Sequence, residues 1–180
     1  MQNLTKLLTK TLWLQSSKAP IVLCIGSDRV TGDSFGPMVG EKLTRQHNID
    51  TFVYGTLSKP VTAINLIEVL AFIKCRHPNT VVLAVDSALG ATSEIGKFRV
   101  LADGIYPGAA TGKKLPKAGD FSLTATVAPL GTGLELYGVQ LGFIDRLAET
   151  AALAIADSIK FNYAPNAIMR TGSHVSRPHK

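Results

Sequence analysis

Two carboxylates stand where an α/β protein could put them to chemical use. Asp33 ends the loop GSDRVTGD at 26–33, which leaves the apolar run IVLCI at 21–25. Asp86 directly follows a second apolar run, TVVLAV at 80–85. Loops that leave the C-terminal ends of parallel strands line the crevice where ligands bind in an open α/β sheet. If both runs are parallel strands, Asp33 and Asp86 emerge at one edge. A converging pair can divide acid–base work. One carboxylate takes a proton from water, and the other, its pKa raised by its neighbour's charge, donates one. The same pair could ligate a divalent ion, but the expectation is no cofactor and no resident metal. Gly26 and Gly32 suit a backbone that passes close to a ligand. Each aspartate also has a plain structural role open to it, Asp33 as a helix N-cap and Asp86 as a tether for a neighbouring loop.

Such side chains need elements to hold them. The runs at 21–25 and 80–85 show no polar alternation, the pattern of parallel strands buried on both faces. A further strand is expected at 51–54, and others at 97–101 and 121–128, where residues alternate or are β-branched. The spacing predicts a helix from Asp33 to His47, with Asp33 or Ser34 as N-cap and Pro37 in the first turn. A second helix opens at Ser58 or Lys59-Pro60 and carries Val61, Ile64, Ile67, Leu70 and Ile73 along one side; His77-Pro78 stops it. The last helix starts at Leu141, ends near Phe161, and buries Ile144, Leu147, Ala151 and Ile155. Strands alternating with helices predict a three-layer α/β/α arrangement with a mostly parallel or mixed sheet. The expected organisation is an N-terminal amphipathic helix at 1–19 (Leu4, Leu7, Leu8, Leu12), an α/β/α domain at 20–162 and a flexible tail at 163–180.

Composition narrows the partners. Apolar residues make up 46% of the 180-residue chain and aromatics 7%, so aliphatic side chains must build the core. Nineteen Lys and Arg against 13 Asp and Glu give a net charge of +6. Much of that charge lies in scattered lysines, in Lys113, Lys114 and Lys117, and in the tail from Arg170. No aromatics interleave with it, so a nucleic-acid partner is not expected. Cys24 and Cys75 form no CxxC pattern and read as reduced thiols of a cytoplasmic protein. No stretch approaches a membrane-spanning length, so no membrane partner is expected.

The motifs together carry a resemblance. VTGDSFGP at 30–37, VDSALG at 85–90, YGT at 54–56 and GKKLPKAGDFS at 112–122 resemble the YyaC-type sporulation proteins. Those are related to the bacterial spore germination protease and, more remotely, to the hydrogenase-maturation proteases. The similarity covers residues 20–160 and implies a phosphorylase/hydrolase-like α/β/α fold. The germination protease is an atypical aspartic peptidase acting on small acid-soluble spore proteins. One of its aspartates lies in a V-T-x-D-x-x-G-P loop and the other in a D-A-L motif after a central strand. The matching positions here are Asp33 and Asp86, with Ser87 interrupting the second motif. What the resemblance implies is therefore a peptidase of the sporulating cell or forespore, acting with water on a protein or peptide, and leaving a homo-oligomer open. The hydrogenase-maturation branch would need a histidine as third ligand for nickel. His47 and His77 end helices, and His174 and His179 lie in the tail, so nickel-dependent processing is not expected.

Further candidates surround the pair. Ser27 and Asp28 share the first loop with Asp33 and are expected to touch substrate. Lys113 and Lys114, with Lys117, would bring positive charge to the acids or hold a substrate carboxylate, and Asp120 would be a third acid. The plain alternative for that loop is a solvated surface connection.

Two rival readings remain open. Gly32-Asp-Ser-Phe-Gly36 matches G-x-S-x-G, and Ser34, Asp86 and His174 reproduce a serine hydrolase's chain order. The intervening loop at 26–32 and the position of His174 in the tail argue against that reading. The second rival is a catalytically inactive, protease-like binding or regulatory protein of sporulation, since a fold does not fix an activity. Dinucleotide binding is weaker, because the first loop lacks G-x-G-x-x-G and no Walker sequence occurs.

Overall fold

A computed structural model describes residues 2–108 and 114–163 of the chain. The first apolar run forms β1, Ile21–Cys24, with all four residues fully buried. A strand with no polar side chain can lie only where both faces are covered. Five strands form one sheet: β2 is Val53–Tyr54, β3 Val82–Gly90, β4 Phe98–Leu101 and β5 Phe121–Pro129. Their order is β2-β1-β3-β5-β4. The pairs β1–β2, β1–β3 and β3–β5 are parallel, and β4 runs antiparallel to β5. This mixed sheet matches the expected fold class.

Helices cover both faces. α1 (Gln2–Gln15), α2 (Phe35–Arg45) and α4 (Leu141–Tyr163) pack on one side. There Leu8, Leu12, Phe35, Val39, Ile144 and Ile155 meet Val22, Cys24, Leu83 and Val85. α3 (Leu66–Arg76) covers the other side, where Leu66 and Ile73 meet Ile21, Leu23 and Ala84. α1 is also tied to α4 by hydrogen bonds. Asn162 Nδ2 donates to the Thr9 carbonyl at 3.0 Å, and Tyr163 Oη donates to that of Leu12 at 3.1 Å. Among the described residues, no helix is long and apolar enough to cross a membrane.

Two elements, β3 and α3, depart from the sequence expectation, each for a physical reason. β3 does not stop at Asp86 but continues to Gly90, because β5 goes on pairing with it through Pro129 after β1 has ended. α3 begins at Leu66 rather than at Ser58 or Lys59. Residues 60–65 instead form a turn, in which Asn65 Oδ1 accepts from the Thr62 N–H at 2.8 Å and Nδ2 donates to the Pro60 carbonyl at 3.1 Å. The predicted stripe also fails as a stripe. A spacing of three residues slips about 60° per step around a helix, so Ile64 and Ile67 face solvent while Leu66 and Ile73 are buried. In α1, Leu4, Leu8 and Leu12 are buried but Leu7 is exposed. The tail after residue 163 lies outside the described residues.

Candidate functional site

Asp33 is positioned by a close packing of backbone on backbone. It sits in a short 3-10 turn, Thr31–Ser34, that leads straight into α2. The Asp33 carbonyl accepts from the Ser27 N–H at 3.0 Å, which folds the loop back on its own start. Only glycine allows this at position 26. Its φ is +144°, and a Cβ there would lie 2.0 Å from the Asp33 carbonyl oxygen. One turn further on, a Cβ on Gly36 would fall 2.0 Å from the Ile25 carbonyl oxygen, so α2 lies directly on the end of β1. The helix carries Asp33 to the sheet edge as a rigid unit. Its cap residue is Ser34, which makes no side-chain cap bond.

Asp86 arrives from the neighbouring strand. Along β3, Leu83 and Val85 face α2 and α4, whereas Ala84 faces α3. The two-residue period therefore puts Asp86 on the α3 side. β1 has ended at that level, which opens the space beside it. Asp86 is 8% exposed, and its Oδ1 accepts from the Ser87 N–H at 2.8 Å. Burial, and then the negative charge of Asp33, push its carboxyl well above the ordinary range; the Ser87 N–H pulls weakly the other way. Asp33's charge is thus felt at Asp86, and both side chains line one cleft of about 650 Å³. Its walls include Leu89, Ile105, Leu136 and Tyr137.

Thr124 also lines this cleft. It is the register partner of Asp86 on β5. Sequence reading passed over it, although Ser122, Thr124 and Thr126 mark a hydroxyl-bearing face along an otherwise apolar strand. Tyr106, from a loop, and Leu134 and Tyr137, from the short 3-10 helix Leu134–Gly138, carry no local motif and were missed as well.

A second cleft of about 940 Å³ meets the first at Val30, Asp33 and Ala63. Ser27 and Asp28 line it, next to Asp33 and away from Asp86. Ser27 Oγ accepts from the Arg29 N–H at 3.2 Å. Tyr54, Thr56 and Lys59 complete its wall.

Among the described residues of the loop expected to carry charge to the acids, no lysine lines either cleft. Lys113 lies outside the described residues. Lys114 is exposed and lines neither cleft. Lys117 pairs with Asp103, and Leu115 is the side chain that reaches the first cleft. Asp120 is placed at the opposite edge. It precedes β5, and its Oδ2 accepts from the Val82 N–H at 2.8 Å, fixing the start of β3. Asp120 lies four residues, about 13 Å along the strand, before the Thr124 that faces the cleft, so it tethers the start of β3 and lines neither cleft.

Ser34 is buried, and its Oγ donates to the Thr31 carbonyl at 2.7 Å. It lines neither cleft, which removes the support for a serine nucleophile there. His174, the third member of that reading, lies outside the described residues. His47 faces Glu149 at 3.6 Å, too long for a hydrogen bond, and its Nε2 has no hydrogen-bond partner. His77 Nε2 shares a 2.6 Å hydrogen bond with Tyr54 Oη. Neither histidine lines either cleft. Among the described residues, no group of three or more His, Cys, Asp or Glu side chains could hold a metal ion. Cys24 is fully buried, and burial pushes its thiol up; Cys75 is exposed.

Comparison with known proteins agrees with this architecture. The structure is similar to that of the NiFe hydrogenase maturation protease HycI from Thermococcus kodakarensis KOD1. The TM-score is 0.51 with 22% sequence identity, over 86% of this chain and 99% of that one. At that identity the likeness is one of fold. In sequence, the chain is 39% identical over 126 residues to the uncharacterized protein YyaC of Bacillus subtilis (strain 168). That match covers 70% of this chain and 62% of the relative's length. Residues 1–152 match the family described as a protein of unknown function (DUF1256), and the chain belongs to that family.

Proposed function

We propose that the chain is a sporulation-associated, aspartate-dependent peptidase in which Asp33 and Asp86 activate water. One observation carries the reading: two carboxylates more than fifty residues apart in sequence line one cleft, and the charge of one bears on the proton of the other. Bringing two carboxylates into one cleft costs energy, and carboxyl groups perturbed by burial and by a like charge cluster at functional sites. The resemblance of both motifs to the germination protease supports the peptidase class and the developmental stage. The protease-like fold agrees with it.

The division of labour follows from burial. Asp86, held protonated, gives its proton to the scissile carbonyl oxygen. Asp33, half-buried and nearer solvent, takes a proton from the water that attacks the carbonyl carbon. The resulting gem-diol collapses as Asp33 returns that proton to the leaving amine and Asp86 recovers one from a diol hydroxyl. The pair ends as it began. No resident metal is part of this scheme.

The full chain is expected to cleave small acid-soluble spore proteins or a denatured polypeptide. Asp33→Asn and Asp86→Asn should each abolish cleavage while the protein still melts cooperatively. Absence of wild-type turnover on every such substrate, with specific capture of a partner from sporulating cells, would replace the peptidase reading with that of a protease-like binding protein.

A further inference from the structure

α3 carries two apolar stripes, and the fold uses only one. Leu66 and Ile73 are buried against the sheet, but Ile67 is 63% and Phe72 52% exposed, and Ile64, just ahead of the helix, is 94% exposed. Ala71 and Cys75 are exposed on the same side. Within the helix, positions 67, 71 and 75 follow the 4–4 spacing of a single stripe, and exposed Ile64 precedes it in the turn. A surface helix that offers such a stripe to water marks a contact face.

The charges on the helix say what covers it. Glu68 lies in the first turn, and Lys74 and Arg76 lie in the last. None of the three enters an ion pair within the described residues. The pattern is symmetric about Ala71, with Ile67 and Cys75 four residues to either side and Glu68 and Lys74 three. A self-complementary surface of this kind suits a two-fold contact.

We infer that the exposed stripe of α3 is the contact between two copies of this chain, paired antiparallel about a two-fold axis at Ala71. Antiparallel pairing sets each acidic first turn beside the basic last turn of the other copy, whereas parallel pairing would set like against like. The small side chain at the axis lets the helices approach closely. Ile64 and Ala63 also line the second cleft, so the contact adjoins the rim of the Asp33 site. A single helix pair is a small interface, and the dimer is expected to form reversibly at about 10 to 500 µM.

Sedimentation equilibrium of the full chain over that range, with melting curves to confirm folding, tests this. The wild type should show a monomer–dimer equilibrium. Ile67→Asp should abolish it, Glu68→Lys should weaken it, and adding Lys74→Glu to Glu68→Lys should restore it. In a Cys75→Ser background, Ala71→Cys should give a disulfide-linked dimer under mild oxidation, whereas Asp157→Cys on α4 should not. A chain that stays monomeric at every concentration overturns the inference. So does a dimer indifferent to Ile67→Asp, or an Ala71→Cys chain that crosslinks no better than the control.

Discussion

Gly26→Ala separates the geometry of the site from the chemistry of its carboxylates, because the substitution adds one methyl group and no charge. The new Cβ would lie 2.0 Å from the Asp33 carbonyl oxygen and 2.9 Å from Pro37 Cδ, where real contacts stay above 3.0 Å. Backbone cannot yield as a flexible side chain does, so the Asp33 turn must retreat by about 1 Å, a displacement that costs a catalytic group roughly 100-fold in rate. The alanine must also adopt φ +144°, a conformation side chains resist at about 1–3 kcal/mol. Retreat further breaks the 3.0 Å bond from the Ser27 N–H, worth about 1 kcal/mol. Together these amount to about 2–4 kcal/mol, or a fall in Tm of about 5–15 °C for a chain of this size. Peptide turnover and a melting curve on the same preparation read both effects. Gly142→Ala is the control, since its Cβ would meet nothing closer than 3.7 Å. A Gly26→Ala protein that melts with the wild type and keeps full turnover would refute the claim that this crossing places Asp33.

Two further substitutions probe the acid pair and its rival. Asp86→Asn keeps an oxygen for the Ser87 N–H but removes the buried ionisable group. Because the folded-state pKa of Asp86 is raised, the folded chain binds the more protons once pH passes the ordinary carboxyl range. Wild-type stability therefore falls as pH rises from there to the folded-state pKa. The Asn variant should escape that loss and melt above the wild type at neutral pH, with the gap closing toward pH 3; a gap that widens on acidification contradicts the sign. Ser34→Ala should lower stability by about 1 kcal/mol, through loss of the bond to the Thr31 carbonyl, and leave turnover within about two-fold of wild type; abolished turnover would return the serine reading.

What the sequence made legible depended on how local each cause was. The loop carrying Asp33 was readable because glycines and a proline punctuate it, and Gly26 and Gly36 are forced by contacts within a dozen positions. β1 and the core of α4 were readable for a similar reason, since an unbroken apolar run or a helical repeat states its own burial. The continuation of β3 beyond Asp86 was not, because its cause is β5, a partner distant in sequence. The phase of α3 was misread because apolar identity at every third position does not make a face, and the Asn65 turn delays the helix start. The position of Asp120 was not legible because only the strand register puts it at the start of β5, beside Val82 and short of the cleft.

The most direct measurement is the titration of the Asp86 carboxyl by carbon-detected NMR, in the wild type and in Asp33→Asn. A coupled pair predicts that Asp86 holds its proton well above the usual carboxylate range and loses part of that elevation once its neighbour is neutral. An Asp86 that titrates like a solvated carboxylate, or whose titration ignores the loss of Asp33, would contradict the central claim.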